Sequence, residues 1–84
     1  MDGKQLKREI QEVKVTIRIG HNGVKESLIL EIKDQLKTRK LIKIKANKGV
    51  LDASSRKLFW DELATNTDCK VVSQKGNIAV FMNK

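Results

Sequence analysis

The hydrophobic period changes twice within the first 46 residues, and this limits the architectures open to the chain. Val13, Val15, Ile17 and Ile19 alternate with Lys14, Thr16 and Arg18, the period of two that sends β-branched residues to one face of a strand. The pattern stops at Gly20-His21-Asn22-Gly23, four turn-forming residues in a row. From Val24 to about Arg39 the spacing becomes helical, with Leu28, Ile29, Ile32 and Leu36 along one face. Leu30 falls on the opposite face without an evident role. Leu41 to Ala46 then returns to period two, Ile42, Ile44 and Ala46 alternating against Lys43 and Lys45.

The flanking segments extend this pattern. Leu6, Ile10 and Val13 predict a short amphipathic helix over residues 3–13. Residues 47–51 form a loop around Gly49, and Asp52 is placed to cap a helix over roughly 53–66. The core face of that helix centres on Phe59 and Leu63, with Trp60 at its edge. Two strands, about 69–74 and 77–82, flank Lys75-Gly76-Asn77, a hairpin signal. The order (α)βαβαββ predicts an α/β fold, with a four-stranded mixed sheet and helices covering at least one face. At 84 residues, this is one domain spanning 1–84.

Several classes are excluded. No stretch approaches the ~18–20 uncharged apolar residues of a membrane helix, and the N-terminal residues lack the apolar region of a secretory signal. The lone cysteine, Cys69, and the lone histidine, His21, supply neither a disulfide framework nor a Cys/His metal site. The expectation is a cytoplasmic monomer without cofactor. Charged residues make up 33% of the chain, but apolar residues recur throughout, so a folded domain is expected. Asp61 and Glu62 are neighbours on a helix and diverge by about 100°, a poor geometry for paired carboxylates. No nucleophile and base form a recognisable set, so no enzymatic activity is expected.

Eighteen Lys and Arg against ten Asp and Glu give a net charge of +8, which attracts polyanions. The charge is concentrated. From Gln35 to Leu51 there is no acid, but there are Lys37, Arg39, Lys40, Lys43, Lys45 and Lys48. Cations at the end of a helix complement its dipole, which accounts for Lys37 and Arg39 but not for the other four. Lys14 and Arg18 extend the basic surface if the polar faces of the strands agree. Gly20 to Gly23 lies between a strand and a helix, where free amides and a helix dipole bind phosphate and glycines allow close backbone approach. A tight strand-to-helix turn capped by Gly23 or Asn22 has the same pattern. The loop lacks the Lys-Ser/Thr of a Walker motif, and three aromatic residues are too few for a base-stacking platform.

With the strand, Gly20-His21-Asn22-Gly23, the helix and Leu41-Ile42-Lys43-Ile44-Lys45 in this order, the chain resembles a CRM domain (chloroplast RNA splicing and ribosome maturation). The free-standing members of that family are called YhbY-like. The later parts of the pattern are matched by Glu62-Leu63-Ala64, Val71-Val72, Gly76 and Ile78-Ala79-Val80-Phe81. The resemblance runs from about residue 3 to 83. It implies a fold like the C-terminal domain of bacterial translation initiation factor three. It also implies RNA binding through Gly20, His21, Asn22 and Gly23, with Lys25 opening the next helix and Lys43 and Lys45 on the basic strand. Single-domain relatives are associated with large ribosomal subunit precursors, so structured ribosomal RNA is the implied partner. His21 stands where the family often has lysine, and Phe81-Met82-Asn83-Lys84 departs from the aromatic and arginine residues usual at that end. The alternative from another class is a basic module that docks on acidic proteins; DNA is a nearer rival to RNA.

Overall fold

The computed structural model describes residues 3–47, 49–52 and 54–83. The expected elements all form: α1 Gly3–Glu12, β1 Val15–Ile19, α2 Glu26–Thr38, β2 Leu41–Ala46, α3 Arg56–Asn66, β3 Cys69–Lys75 and β4 Ile78–Asn83. The strands join in one mixed sheet in the order β1-β2-β4-β3. β1 and β2 are parallel, so α2 is the crossover between them. β4 runs antiparallel to both β2 and β3. Gly76 and Asn77 link β3 to β4, and Gly76 takes φ +56. That places glycine first in a two-residue hairpin loop, where a positive φ is needed.

Alternation along the strands divides the burial between two faces. Ile17, Ile19, Ile42, Ile44, Ala79 and Phe81 point to one face and are buried there. Ile32 and Leu36 of α2, with Trp60, Leu63 and Ala64 of α3, close over them. The opposite face carries Leu41 and Val80, also buried but outside that cluster. There lies α1, with Leu6 and Ile10 half-buried and Glu9 paired to Lys40 at 3.2 Å. No α1 residue is fully buried, so this helix is seated lightly.

Three expectations need correction. The four alternating residues of β1 do not all face the same way. Val15 pairs with Lys43 and Ile17 with Ile44, which makes Thr16 an extra, bulged residue. The bulge turns Val15 to the Lys43 face and lets Thr16 Oγ1 donate to Gln35 Oε1 of α2 at 2.7 Å. Asp52 does not cap α3. The helix starts at Arg56 behind Ser55, whose N–H and Oγ both donate to the Asp52 carbonyl, while Ser54 Oγ donates to its carboxylate. Serine and aspartate spend their hydrogen bonds on this local turn and so delay the helix. Trp60 is not at the edge of α3 but at its centre of burial, with 0% exposure, while Phe59 is only half-buried.

Candidate nucleic-acid interface

The parallel pairing of β1 and β2 brings their C-terminal ends together, and the loops that follow them meet. The Asn47 N–H donates to the Ile19 carbonyl at 2.8 Å, extending the ladder past β2. Gly20 to Gly23 closes as a tight turn, with the Gly23 N–H donating to the Gly20 carbonyl at 3.1 Å. Gly23 has φ +77, a region that penalises any Cβ. The second loop turns at Gly49, φ +87, and the His21 ring lies beside it. Asn47 Nδ2 is 3.8 Å from where a Cβ on Gly20 would stand. The two loops therefore support each other, and His21 and Asn22 remain exposed.

The tetrapeptide is not the cap of α2. Val24 and Lys25 intervene; Lys25 is the N-cap and makes no side-chain capping bond. Between turn and helix lies a hollow of about 220 Å³, lined by Arg18, Gly20, Gly23, Lys25 and Ser27 among others. An uncapped helix start beside two cations suits an anion. Glu26 stands in the first turn of α2 and Glu31 lines the hollow, so its field is partly neutralised by the protein's own carboxylates. Neither acid was weighed from the sequence, although both are visible there.

Arg18 and Lys45 are register partners on adjacent strands, about 4.8 Å apart. Both lie on the face opposite α2 and α3, because their neighbours Ile17, Ile19, Ile44 and Ala46 are buried on the other. Lys43 follows on the same face. Gly20, His21, Asn22, Gly23, Lys25, Arg18, Lys43 and Lys45 thus gather around one end and one face. Lys37, Arg39 and Lys40 do not join them. Lys37 is in the last turn of α2 and the other two follow it, at the far end of a helix whose 13 residues span about 20 Å, and Lys40 is held by Glu9. The acid-free run is contiguous in sequence but split by the fold. Lys48 lies outside the described residues.

The hairpin tip adds residues that the sequence did not single out. Lys45 pairs with Ile78, and Ile78 with Lys75, so Lys75 extends the basic face across β3. The Arg56 guanidinium reaches the same tip, with Nη1 4.0 Å from a Cβ placed on Gly76. Alternation could have given the face of Lys75, but the register that aligns it with Lys45 is set by long-range pairing.

Gly20 and Gly23 separate stability from binding. Gly20→Ala meets only ordinary contact at 3.8 Å, whereas Gly23→Ala has open space but a positive φ. Gly23→Ala is expected to lose about 1–2 kcal/mol of stability and Gly20→Ala under ~1 kcal/mol. Chemical denaturation of the two variants checks the order.

Fold and loop end together define a small basic α/β domain built around a GxxG turn. The chain belongs to the CRS1/YhbY (CRM) domain family, whose pattern matches residues 2–82. A solution structure from Staphylococcus aureus, of a hypothetical protein described as a candidate RNA binder, superposes with a TM-score of 0.77. It covers 96% of this chain and 82% of its own, at 23% identity. No curated protein matches the sequence. Among the described residues no helix is long and apolar enough to cross a membrane, and no three metal-ligating side chains cluster.

Proposed function

We propose that this chain is an RNA-binding module, not an enzyme, that holds structured RNA chiefly by its sugar–phosphate backbone. The observation that carries this is the convergence of an exposed glycine turn, an uncapped helix start and the cations Arg18, Lys25, Lys43 and Lys45 at one end of the sheet. Membership of the CRM family and the description of the Staphylococcus aureus protein support RNA as the polyanion. The family resemblance points to ribosomal RNA or large-subunit precursors; the lone Cys69 suits a reducing, cytoplasmic setting, and a monomer is the state proposed.

The aromatic residues argue for weak sequence preference. Trp60 and Phe81 are fully buried and Phe59 is half-buried against the core, and no aromatic ring lines the loop-end hollow, so none stands among the cations to stack bases. RNA shape then selects the target, with backbone contacts supplying affinity.

Salt titration of binding tests this. Four phosphate contacts, one per cation at the loop end, give a slope of log affinity on log salt of roughly −3, at ~0.7 per contact. Recruiting Lys75 and Lys7 as well takes it to roughly −4 by the same relation. A flat response would sink the mechanism, and equal affinity for DNA of the same sequence would remove RNA as the preferred ligand. Docking of the basic face on an acidic protein is the alternative that a net charge of +8 allows; the exposed Leu30 and Leu58 lie on α2 and α3, away from that face. Ribosomal RNA fragments that fail to displace such a protein would favour that alternative.

A further inference from the structure

The sheet face turned away from α2 and α3 carries a groove that backbone binding at the GHNG turn leaves unused. It lies between α1 and strands β2, β4 and β3 and has a volume of about 480 Å³, within the ~300–1,000 Å³ range of ligand sites. Val72, Ile78 and Val80 form an apolar floor, faced by Ile10 of α1. Lys7, Lys43 and Lys75 also line it, with Gln11 and Ser73 as the neutral polar groups, and no acid is among the described lining residues.

Two local features create this groove. α1 is seated lightly, with no fully buried residue. In β3 the pairing shifts between Val71 and Ser73, leaving Val72 as an extra residue; bulges of this kind re-aim a side chain. Here the re-aimed side chain lines the groove.

Its chemistry selects the occupant. An apolar floor bordered by three ammonium groups suits a flat, weakly polar ring attached to phosphate, and it repels nothing anionic. Splayed RNA bases are held by apolar and polar side chains in this way. The groove is also continuous with the loop-end cations: Lys43 lies two residues from Lys45, about 7 Å along β2, and Lys75 leads into the hairpin tip. Resting on the RNA-binding function above, we infer that the groove receives an unpaired base from a single-stranded segment adjoining the structured RNA at the GHNG turn. Lys7, Lys43 and Lys75 hold the flanking phosphates, while Gln11 and Ser73 meet the base edge.

The test compares a blunt RNA duplex with the same duplex carrying a four-nucleotide single-stranded overhang, by fluorescence anisotropy on the full chain. The overhang is expected to raise affinity about tenfold, from one base face covered by the apolar floor together with one added phosphate contact, itself ~5-fold at ~0.1 M salt. Ser73→Trp, which fills the groove, should erase that gain and leave the affinity for the blunt duplex unchanged. Because Trp could unseat α1, Lys75→Gln at the exposed edge serves as a second variant and should reduce the gain severalfold. Methyl resonances of Ile10, Val72 and Ile78 should shift with the overhang RNA and not with the blunt one. Equal affinity for the two RNAs, or a gain that survives both substitutions, overturns the groove assignment while backbone binding stands. Binding to neither RNA overturns both. Methyl shifts that appear on raising protein concentration alone assign the groove to a second copy of the chain and overturn it as a base site.

Discussion

Lys43→Glu combined with Lys45→Glu is expected to lower RNA affinity about a hundredfold at ~0.1 M salt while the domain stays folded. Two lost phosphate contacts remove about 1.4 log units of counterion release at that salt, or ~25-fold. Two carboxylates facing phosphate add repulsion and bring the total to about two orders of magnitude. The salt slope should become shallower by about 1.4 at the same time. Lys45 is exposed and Lys43 half-buried, and neither belongs to the main core, so the thermal midpoint should move by only a few degrees. The control is Lys37→Glu with Arg39→Glu and Lys40→Glu, which reverses more charge at the other end of α2, about 20 Å from the GHNG turn. It should lower affinity less than the β2 pair, since separation beyond a Debye length of ~10 Å screens exposed charges. If the distal triple variant loses as much, the RNA lies along α2 and not at the loop end.

That comparison follows from what the sequence could and could not specify. The strand and helix spans were legible because periods of two and 3.6 are local signals, and Ile17, Ile19, Ile42 and Ile44 fall where alternation puts them. The GHNG turn was legible for the same reason. The grouping of the cations was not. Six lysines and arginines within seventeen residues look like one patch, yet α2 ends, the chain reverses, and Lys37 and Lys45 finish at opposite ends of β2. Lys75 is thirty residues from Lys45 in sequence but separated from it by a single strand. The bulges at Thr16 and in β3 were equally hidden, since one extra residue changes a face without changing composition. Family resemblance pointed to the loop as the feature to examine. It could not reveal that Glu31 lines the hollow while Glu26 sits in the first turn of α2.

Trp60→Ala should be the most damaging single change to stability, at about 3–5 kcal/mol. Trp60 has 0% exposure and stands edge-on to Phe59 at 5.1 Å and to Phe81 at 6.1 Å between centroids. Its truncation leaves both rings facing a void. The indole N–H also donates to the Gly76 carbonyl at 3.4 Å, tying α3 to the hairpin tip, while the Asn77 carbonyl accepts from the Ala46 N–H at 2.8 Å. A domain of this length holds only ~4–13 kcal/mol in total, so the loss removes a large share of it. At ~4–8 °C per kcal/mol for a chain of this size, the midpoint should drop by at least about 12 °C. Because Trp60 is the sole tryptophan, the melt must be followed by far-ultraviolet circular dichroism and not by intrinsic fluorescence. Trp60→Phe separates packing from the tether: it keeps a ring in the cavity and loses the long hydrogen bond, and should cost less than half as much. A Trp60→Ala midpoint within ~5 °C of the parent would mean that Ile32, Leu63 and Phe81 close over the gap. In that case α3 is not pinned by this residue, and the position of Lys75 at the hairpin tip has to rest on the pairing of β3, β4 and β2 alone.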